Sequence, residues 1–482
     1  MAPNDPDEKA PQGASEHPES LRVFRLFFVF LPETSMLRRF PFQLVVVSRF
    51  FSEIGQEGVF YGTLVAVAME GSPFEASLIG GAKVLPGALL GLLGGAVADA
   101  LPRRIALGLG YAAQAALCVV VPIVFGTSFM PLLLLVFGVS ILNQFVGPSE
   151  KAVIPLVSSR EQISTAAATM SLADSIATGI GTAAIAPIIM KSFGLRPMLF
   201  VSAAFLVFAS IRIFALPFKQ HIGAREALQR LNLSELDLGF RSAVSWLAGW
   251  PAVTTMIMVG LVVSVLSTIS ETLGPSYVGD VLGSDPANAV YVFAPAGIGA
   301  VVALSIAPWL IDRFHERWTA GLAVLLMTTA LFAMAFIDTL APVLAPISPM
   351  RLLELLGVEL SDELLAAGFI SIFTGFAISA SSVAVQTYIN RRVPMLQQGR
   401  VFGLQSIFAN AAALVPMLLL GTIASLTSIE GILFFTPGVA LVVVYGLLII
   451  VSRLSGSEAP KGREVIASFW QEPVPAQESQ NS

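Results

Sequence analysis

Charged residues are scarce in this chain. Of its 482 residues, only 12% are Asp, Glu, Lys or Arg, whereas 55% are hydrophobic and the mean hydropathy is +0.80. A soluble protein carries about 25% charged residues, because its surface must meet water. The apolar residues also form blocks that reach the roughly 20 residues a helix needs to cross a bilayer. This composition predicts an all-α protein that is embedded in a lipid bilayer.

Cysteine and histidine are nearly absent as well. The only cysteine, Cys118, lies inside an apolar block, so neither an intramolecular disulfide nor a thiolate metal cluster can form. The three histidines, His17, His221 and His315, lie outside the predicted spans. The sequence also has no phosphate-binding loop and no recognisable set of nucleophile and base. We therefore expect no enzyme, no cofactor, no metal site and no nucleic-acid partner, and any proton relay in the membrane must use carboxylates.

Apolar blocks separated by turn and charge signals predict twelve spans, arranged as six, a polar linker and six. The first six are 42–69, 76–98, 104–126, 130–148, 163–190 and 197–216. The second six are 252–273, 288–311, 318–340, 364–389, 401–427 and 431–452. The predicted organisation is thus a tail with an interfacial segment (1–41), a first bundle (42–216), a linker (217–250), a second bundle (251–453) and a disordered tail (454–482).

The positions of Lys and Arg predict the orientation. With the N-terminus placed in the cytoplasm, twenty of them fall on the inside, and only Lys191, Arg196 and Arg351 fall outside. Inside loops of membrane proteins carry an excess of positive charge, so both termini are predicted to be cytoplasmic. The long outer loop 342–368 is amphipathic and predicts one or two short helices on the outer surface.

A short acidic–basic motif recurs at the same inside loop of each half. GGAVADALPRR follows the second span, and APWLIDRFHERW follows the eighth. This recurrence indicates a parallel duplication, and such loops can pair across the inner ends of helices that part and rejoin. The candidate gating residues are Gly95, Asp99, Arg103, Arg104, Glu150, Asp312, Arg313 and Arg317.

The first of these loops resembles the signature of the major facilitator superfamily. That signature reads G-x-x-x-D-x-x-G-R-K/R, and this chain matches it from Gly95 to Arg104, with Pro102 in place of the usual glycine. Near the end of the fourth helix, where the family has a polar contact, the sequence has Glu150. The resemblance extends over roughly 42–453 and implies the two-bundle facilitator fold of twelve helices.

Three further segments resemble the siderophore-exporter and macrolide-efflux branch of that family. They are NQFVGPSEKAVIPLVSSREQISTAAA (143–168), GFRSAVSWLAGWPAV (239–253) and QTYINRRVPMLQQGRVFGLQS (386–406). Lysophospholipid flippases have a similar Gly-Pro loop. The antiporter signature of the fifth helix is present only in outline, from Gly179 to Pro187. The branch implies export, and lipid flipping stays open.

Ionisable residues inside the predicted spans are the strongest functional signal. Arg49, Glu53 and Glu57 recur every four residues, on one stripe of the first helix, where Gln56 is a polar neighbour. A charge at the bilayer centre costs about 2.5–3.5 kcal/mol, so this stripe must face a cavity or charged partners. We expect Lys83 to meet Glu57 and Asp174 to meet Arg49. The candidate residues for proton coupling or substrate binding are Arg49, Glu53, Gln56, Glu57, Lys83 and Asp174.

These charges have two interpretations: locked ion pairs that hold the bundle together, or carboxylates that exchange a proton during transport. The second half is expected to be nearly free of charge within its spans. Its polar residues there are Ser264, Ser267, Ser270, Ser379, Ser381, Ser382, Gln386, Gln405 and Asn410.

Such a half suits a hydrophobic or amphipathic substrate better than a sugar. The sequence thus predicts a monomeric secondary transporter of the cell (inner or plasma) membrane. By this interpretation it exports a drug-like compound or a siderophore in exchange for protons. A transport-inactive membrane sensor or scaffold is the alternative from another class.

Overall fold

The computed structural model describes residues 39–100, 102–158, 163–216, 250–356, 359–393, 395–426 and 429–454. Throughout these ranges the regular structure is helical, with short π-helical and 3-10 turns. The predicted interfacial segment and nearly all of the predicted linker and C-terminal tail lie outside the described residues.

In the first half, a helix covers each predicted span. Two of them contain a π-helical turn, at Val121–Phe125 and at Gly181–Ile185, where the latter separates α5 from α6. The helices of this half are α1 (Phe40–Glu70), α2 (Pro73–Ala100), α3 (Arg103–Val120), α4 (Phe129–Val157), α5 (Ile163–Ile180), α6 (Ala186–Phe193) and α7 (Leu195–Phe214).

In the second half, one helix contains two predicted spans. His315 interrupts this helix with φ 64° and ψ 160°, a conformation that a residue with a β-carbon rarely adopts. After this helix come a short helix and two 3-10 turns, and the turns Ala345–Ile347 and Pro349–Leu356 lie within the predicted loop 342–368. The helices of this half are α8 (Pro251–Asp280), α9 (Val290–Ala335), α10 (Ile337–Leu344), α11 (Asp362–Arg392), α12 (Met395–Leu426) and α13 (Ile429–Leu454).

Seven helical segments of the described chain are long and apolar enough to cross a membrane. Helix α1 is not among them, and it carries the three ionisable residues predicted to lie inside a span. The seven are Arg103–Phe125, Phe129–Glu150, Leu195–Phe214, Ala252–Asp280, Pro286–Ala335, Asp362–Arg392 and Val401–Leu426.

The buried apolar residues form two large clusters, which follow the two halves of the chain. One surrounds Leu64, Leu135 and Leu206 in the first half, and the other surrounds Leu266 and Met417 in the second. The second cluster also includes residues of α1, α2, α6 and α7, so the two halves are packed against each other. The space between the halves is therefore partly closed by apolar contacts.

Glycines permit the closest helix approaches. On α2, Gly80 faces Thr272 and Met417, and Gly87 faces Asn410. All three of these partners belong to the second half. Within the second half, Gly299 on α9 lies against the backbone of Ile372 on α11. Small residues at such contacts let helix backbones approach, which is the main source of attraction between helices in lipid.

We predict that Gly299→Ala destabilises the protein and that Gly297→Ala does not. A methyl group at Gly299 would overlap the carbonyl of Ile372, whereas Gly297 is exposed, on the same helix, with open space around it. Overpacking costs about 1–3 kcal/mol, while alanine in an open helical position gains about 0.5–1 kcal/mol over glycine. The midpoints of thermal unfolding of the purified variants measure both effects, and equal shifts would contradict the predicted packing.

Candidate functional site: a charge network and a cavity between the two halves

Arg49 lies at the centre of a cluster of ionic and hydrogen-bonded side chains from four helices. Its guanidinium contacts Glu53 on α1 at 2.9 Å, Glu150 on α4 at 2.8 Å and Asp174 on α5 at 2.8 Å. Tyr111 on α3 donates a hydrogen bond to Glu150. The predicted meeting of Arg49 with Asp174 is therefore present, and Glu150 is an additional partner. We call these five residues the Arg49 cluster.

The Arg49 cluster carries more negative than positive charge. One guanidinium faces three carboxylates, so the net charge is −2 when all three are ionised. The side chains of Arg49 and Glu150 are only 15% and 6% exposed. Thr178 donates a hydrogen bond to Glu53 at 3.2 Å, which relieves part of the excess. A proton bound among the carboxylates would relieve more of it.

The second ion pair joins α1 to α2. Lys83 contacts both carboxylate oxygens of Glu57 at 3.0 Å, as the sequence predicts. Its ammonium group also lies 3.9 Å from the centre of the Phe60 ring, a distance typical of a cation–π contact. The pair satisfies two charges that would otherwise be costly in a membrane interior.

Gln56, the polar neighbour on the same helix, points elsewhere. It is buried and donates a hydrogen bond to Gln114 on α3 at 3.2 Å, and Gln114 donates in turn to the carbonyl of Val139. These bonds link α1, α3 and α4. In the described chain, Gln56 therefore connects helices and belongs neither to the Arg49 cluster nor to the Glu57–Lys83 pair.

A cavity of about 150 Å³ opens between the two halves of the chain. Its first-half wall is formed by Glu57, Phe60, Tyr61, Thr178 and Thr182. Its second-half wall is formed by Ser267, Ser270, Glu271, Phe293, Ala296, Met327, Thr374 and Ile378. Most of the lining is apolar or hydroxylated, and the carboxylates of Glu57 and Glu271 are its acidic groups.

Two side-chain contacts connect the halves, one of them in the cavity wall. The rings of Tyr61 and Phe293 pack edge to face with their centres 6.0 Å apart. Nearby, Lys191 donates a hydrogen bond to Asn288 at 3.2 Å. The first contact joins the interior of α1 to the start of α9, and the second joins the end of α6 to the turn before α9.

Comparison with known proteins identifies the family. The model of the Major Facilitator Superfamily matches residues 45–358, about two thirds of the chain. This protein belongs to the major facilitator superfamily. No curated protein matches its sequence.

Solved structures of other facilitators share its fold. A crystal structure of a mutant of the nucleoside transporter NupG superposes with a TM-score of 0.62 at 14% identity, over 85% of this chain and 99% of NupG. A bacterial homologue of the human lysosomal transporter Spinster, in an inward-facing and unoccupied conformation, gives 0.61 at 13% identity, over 92% of this chain and 100% of that chain. At these identities the likeness shows the fold alone.

The expectation of a nearly uncharged second half did not single out Glu271 of this facilitator. Glu271 lies within the predicted span 252–273, close to its predicted end. In a sequence, a carboxylate at such a position indicates the end of a span and the start of a loop. Helix α8 continues to Asp280, so Glu271 is inside the helix and lines the cavity. Of the predicted polar residues of this half, Ser267 and Ser270 line the same cavity.

The predicted gating residues have several different contacts. Gly95 and Asp99 lie at the end of α2, in a stretch where the structure describes the backbone but not the side chains. Arg104 donates to the carbonyl of Phe214, so it joins α3 to α7. Arg103 begins α3 beside it.

In the second half, Arg317 donates to the hydroxyl of Tyr388 at 2.9 Å, while the neighbouring Glu316 pairs with Arg391 at 2.6 Å. Asp312 and Arg313 are exposed on α9. The contacts of Arg317 and Glu316 join α9 to α11. Glu150, by contrast, lies in the Arg49 cluster rather than with the other gating residues.

We predict that Arg49→Gln strongly destabilises the fold. The substitution leaves three carboxylates without their cation, and breaking a buried ion pair from one side costs about 3–5 kcal/mol. The matched control is Arg313→Gln, because Arg313 is exposed. Thermal unfolding and size-exclusion chromatography of both variants measure the effect, and a wild-type melting temperature for Arg49→Gln would show that the cluster does not hold the helices.

Proposed function

We propose that this facilitator is a secondary transporter that works by alternating access and exports a hydrophobic or amphipathic small molecule in exchange for protons. The observation that carries the proposal is the cavity between the halves, which combines an apolar wall with carboxylates. Facilitator halves that rock around such a central site expose it to one side of the membrane at a time. The twelve predicted spans, with both termini cytoplasmic, and a monomer in the cell inner or plasma membrane belong to this proposal.

The conformation of the two halves supports a cytoplasmic opening. In the proposed topology, Lys191 and the turn that contains Asn288 lie at the outer end, and their contact closes that end. The principal packing of α4 and α5, which contain Glu150 and Asp174, is with helices of their own half. The similar Spinster homologue is described as inward-facing. An exporter in this state would take its substrate from the cytoplasm or the inner leaflet.

Proton coupling is assigned to the first half. The Arg49 cluster has more carboxylates than its single cation can neutralise, and it is linked to the cavity through Thr178, which touches Glu53 and lines the cavity. Protonation of a carboxylate would loosen its contact with Arg49 and so alter how α1, α4 and α5 are joined. This gives a proton a means of changing the conformation of the first half.

Export, rather than uptake, rests on the resemblance of three loop segments to the siderophore-exporter and macrolide-efflux branch. Lipid or lysolipid flipping by the same fold would need no proton. A transport-inactive sensor would need neither a proton nor a gradient. These alternatives differ in their dependence on energy, so transport measurements separate them.

The proposed topology predicts which side of the membrane each loop faces. Cys118 is the only cysteine and is buried, so single cysteines can be introduced with little background. A membrane-impermeant maleimide should label Glu359→Cys in intact cells and Arg313→Cys only after lysis, because both positions are exposed but on opposite sides. Labelling of both positions in intact cells, or of neither after lysis, would refute the span count.

The proposed coupling predicts that substitution of the carboxylates changes the pH dependence of transport. Cells that overproduce the protein should resist members of a panel of amphipathic toxic compounds, and a protonophore should abolish that resistance. In inverted membrane vesicles, Glu53→Gln, Glu57→Gln or Asp174→Asn should flatten the pH dependence of uptake, since each removes a group that can carry the proton.

Glu359→Gln is the control for these variants, because it removes an exposed carboxylate outside the cavity and the Arg49 cluster. An unchanged pH profile in all three variants would rule out these carboxylates as the coupling groups. Transport that survives the protonophore would favour flipping over export.

A further inference from the structure

We propose that the cavity binds molecules with one positive charge on an apolar body, and that Glu271 receives that charge. The proposal rests on the transport function proposed above and narrows its substrate class. It follows from the balance of charge in the cavity, from the chemistry of the cavity wall and from the position of Glu271.

The charged groups at the cavity do not balance. Glu57 is neutralised by Lys83, which contacts both of its oxygens. Glu271 is exposed to the cavity from the opposite wall, and no hydrogen bond or ion pair joins it to another residue in the described ranges. With one cation and two carboxylates, the site has a net charge of −1 when both are ionised. A cationic substrate would neutralise it, whereas an anionic one would be repelled.

The rest of the wall suits an apolar body. Phe60, Phe293, Met327 and Ile378 present rings, a thioether and an aliphatic side chain to the cavity. The face of Phe60 already holds the ammonium of Lys83 at 3.9 Å, so this wall is compatible with a cation. Burial of apolar substrate surface here supplies affinity, and the carboxylate supplies selectivity.

Four of the six hydroxyl groups in the cavity wall already donate a hydrogen bond within the protein, which argues against a sugar-like substrate. Ser270 donates its hydrogen bond to the carbonyl of Leu266, and Thr182 donates to that of Thr178, both at 2.8 Å. The oxygens of these hydroxyls can still accept a hydrogen bond, but each has already donated its single proton to a carbonyl of its own helix. A substrate with many hydroxyls needs donors and acceptors that converge on it. A substrate with one charge and few other polar groups needs only Glu271.

The test compares two rigid ions of nearly the same size and shape, tetraphenylphosphonium (charge +1) and tetraphenylborate (charge −1). Their binding to the purified full-length protein in nanodiscs is measured by equilibrium dialysis without any gradient, for wild type, Glu271→Gln, Glu271→Asp and Glu359→Gln. Each variant is compared with wild type for the same ion, so the unequal partitioning of the two ions into lipid cancels.

Glu271→Gln should weaken tetraphenylphosphonium binding about tenfold, as expected for the loss of one Coulomb attraction between opposite charges, and should strengthen tetraphenylborate binding. Glu271→Asp keeps the charge and should retain most of the phosphonium affinity, and Glu359→Gln should match wild type. Unchanged phosphonium binding in Glu271→Gln, or equal loss in Glu271→Asp, would overturn the proposal.

The binding assay tests the proposed substrate class and the transport assay tests the proposed function, so the two proposals can be refuted independently. Cation binding that depends on Glu271, without proton-driven transport, would overturn the proposed function and keep the site. Proton-driven transport of neutral compounds that is indifferent to Glu271→Gln would keep the function and overturn the substrate class.

Discussion

Burial of a guanidinium inside a membrane protein is costly unless anionic groups surround it, and the first half of this chain is organised around that constraint at Arg49. Arg49 draws one carboxylate from its own helix and one each from α4 and α5. Helices in lipid have little hydrophobic reason to associate, because lipid tails are as apolar as their side chains. The contacts of Arg49 therefore fix which helices are neighbours, and apolar packing around Leu64 and Leu135 then fills the space between them.

The same contacts explain why the stabilising and functional interpretations of these charges are compatible. A cluster with three carboxylates and one guanidinium is held together by the charge of Arg49, yet it does not need all three carboxylates at once. Loss of one contact by protonation leaves two others, so the helices stay joined while their relative positions change. A single ion pair, such as that of Glu57 with Lys83, would leave no second ionic contact if its carboxylate were protonated.

The sequence predicted the helices well, because a bilayer demands long apolar blocks and these are visible without any structure. It also predicted that Lys83 meets Glu57 and that Asp174 meets Arg49, since unpaired charges in a membrane must find each other. It did not predict that Glu150 joins Arg49. A residue near a helix end resembles a loop residue until the packing of α4 against α1 is known. Glu271 was overlooked for the same reason, because the true end of α8 lies beyond the predicted one.

The two halves consequently carry different kinds of charge, and this difference bears on how they move. The ion pairs of Arg49 and of Lys83 join helices of the first half to one another. The cavity-facing carboxylate of the second half, Glu271, forms no hydrogen bond or ion pair with a described residue and faces the first half across the cavity. A cation placed between the two walls would therefore be attracted by Glu271 and would contact the aromatic side chains of the first-half wall, so it would bridge the two halves. Occupancy by such a ligand favours closure around it, and a facilitator whose halves close on their substrate is ready to open on the other side.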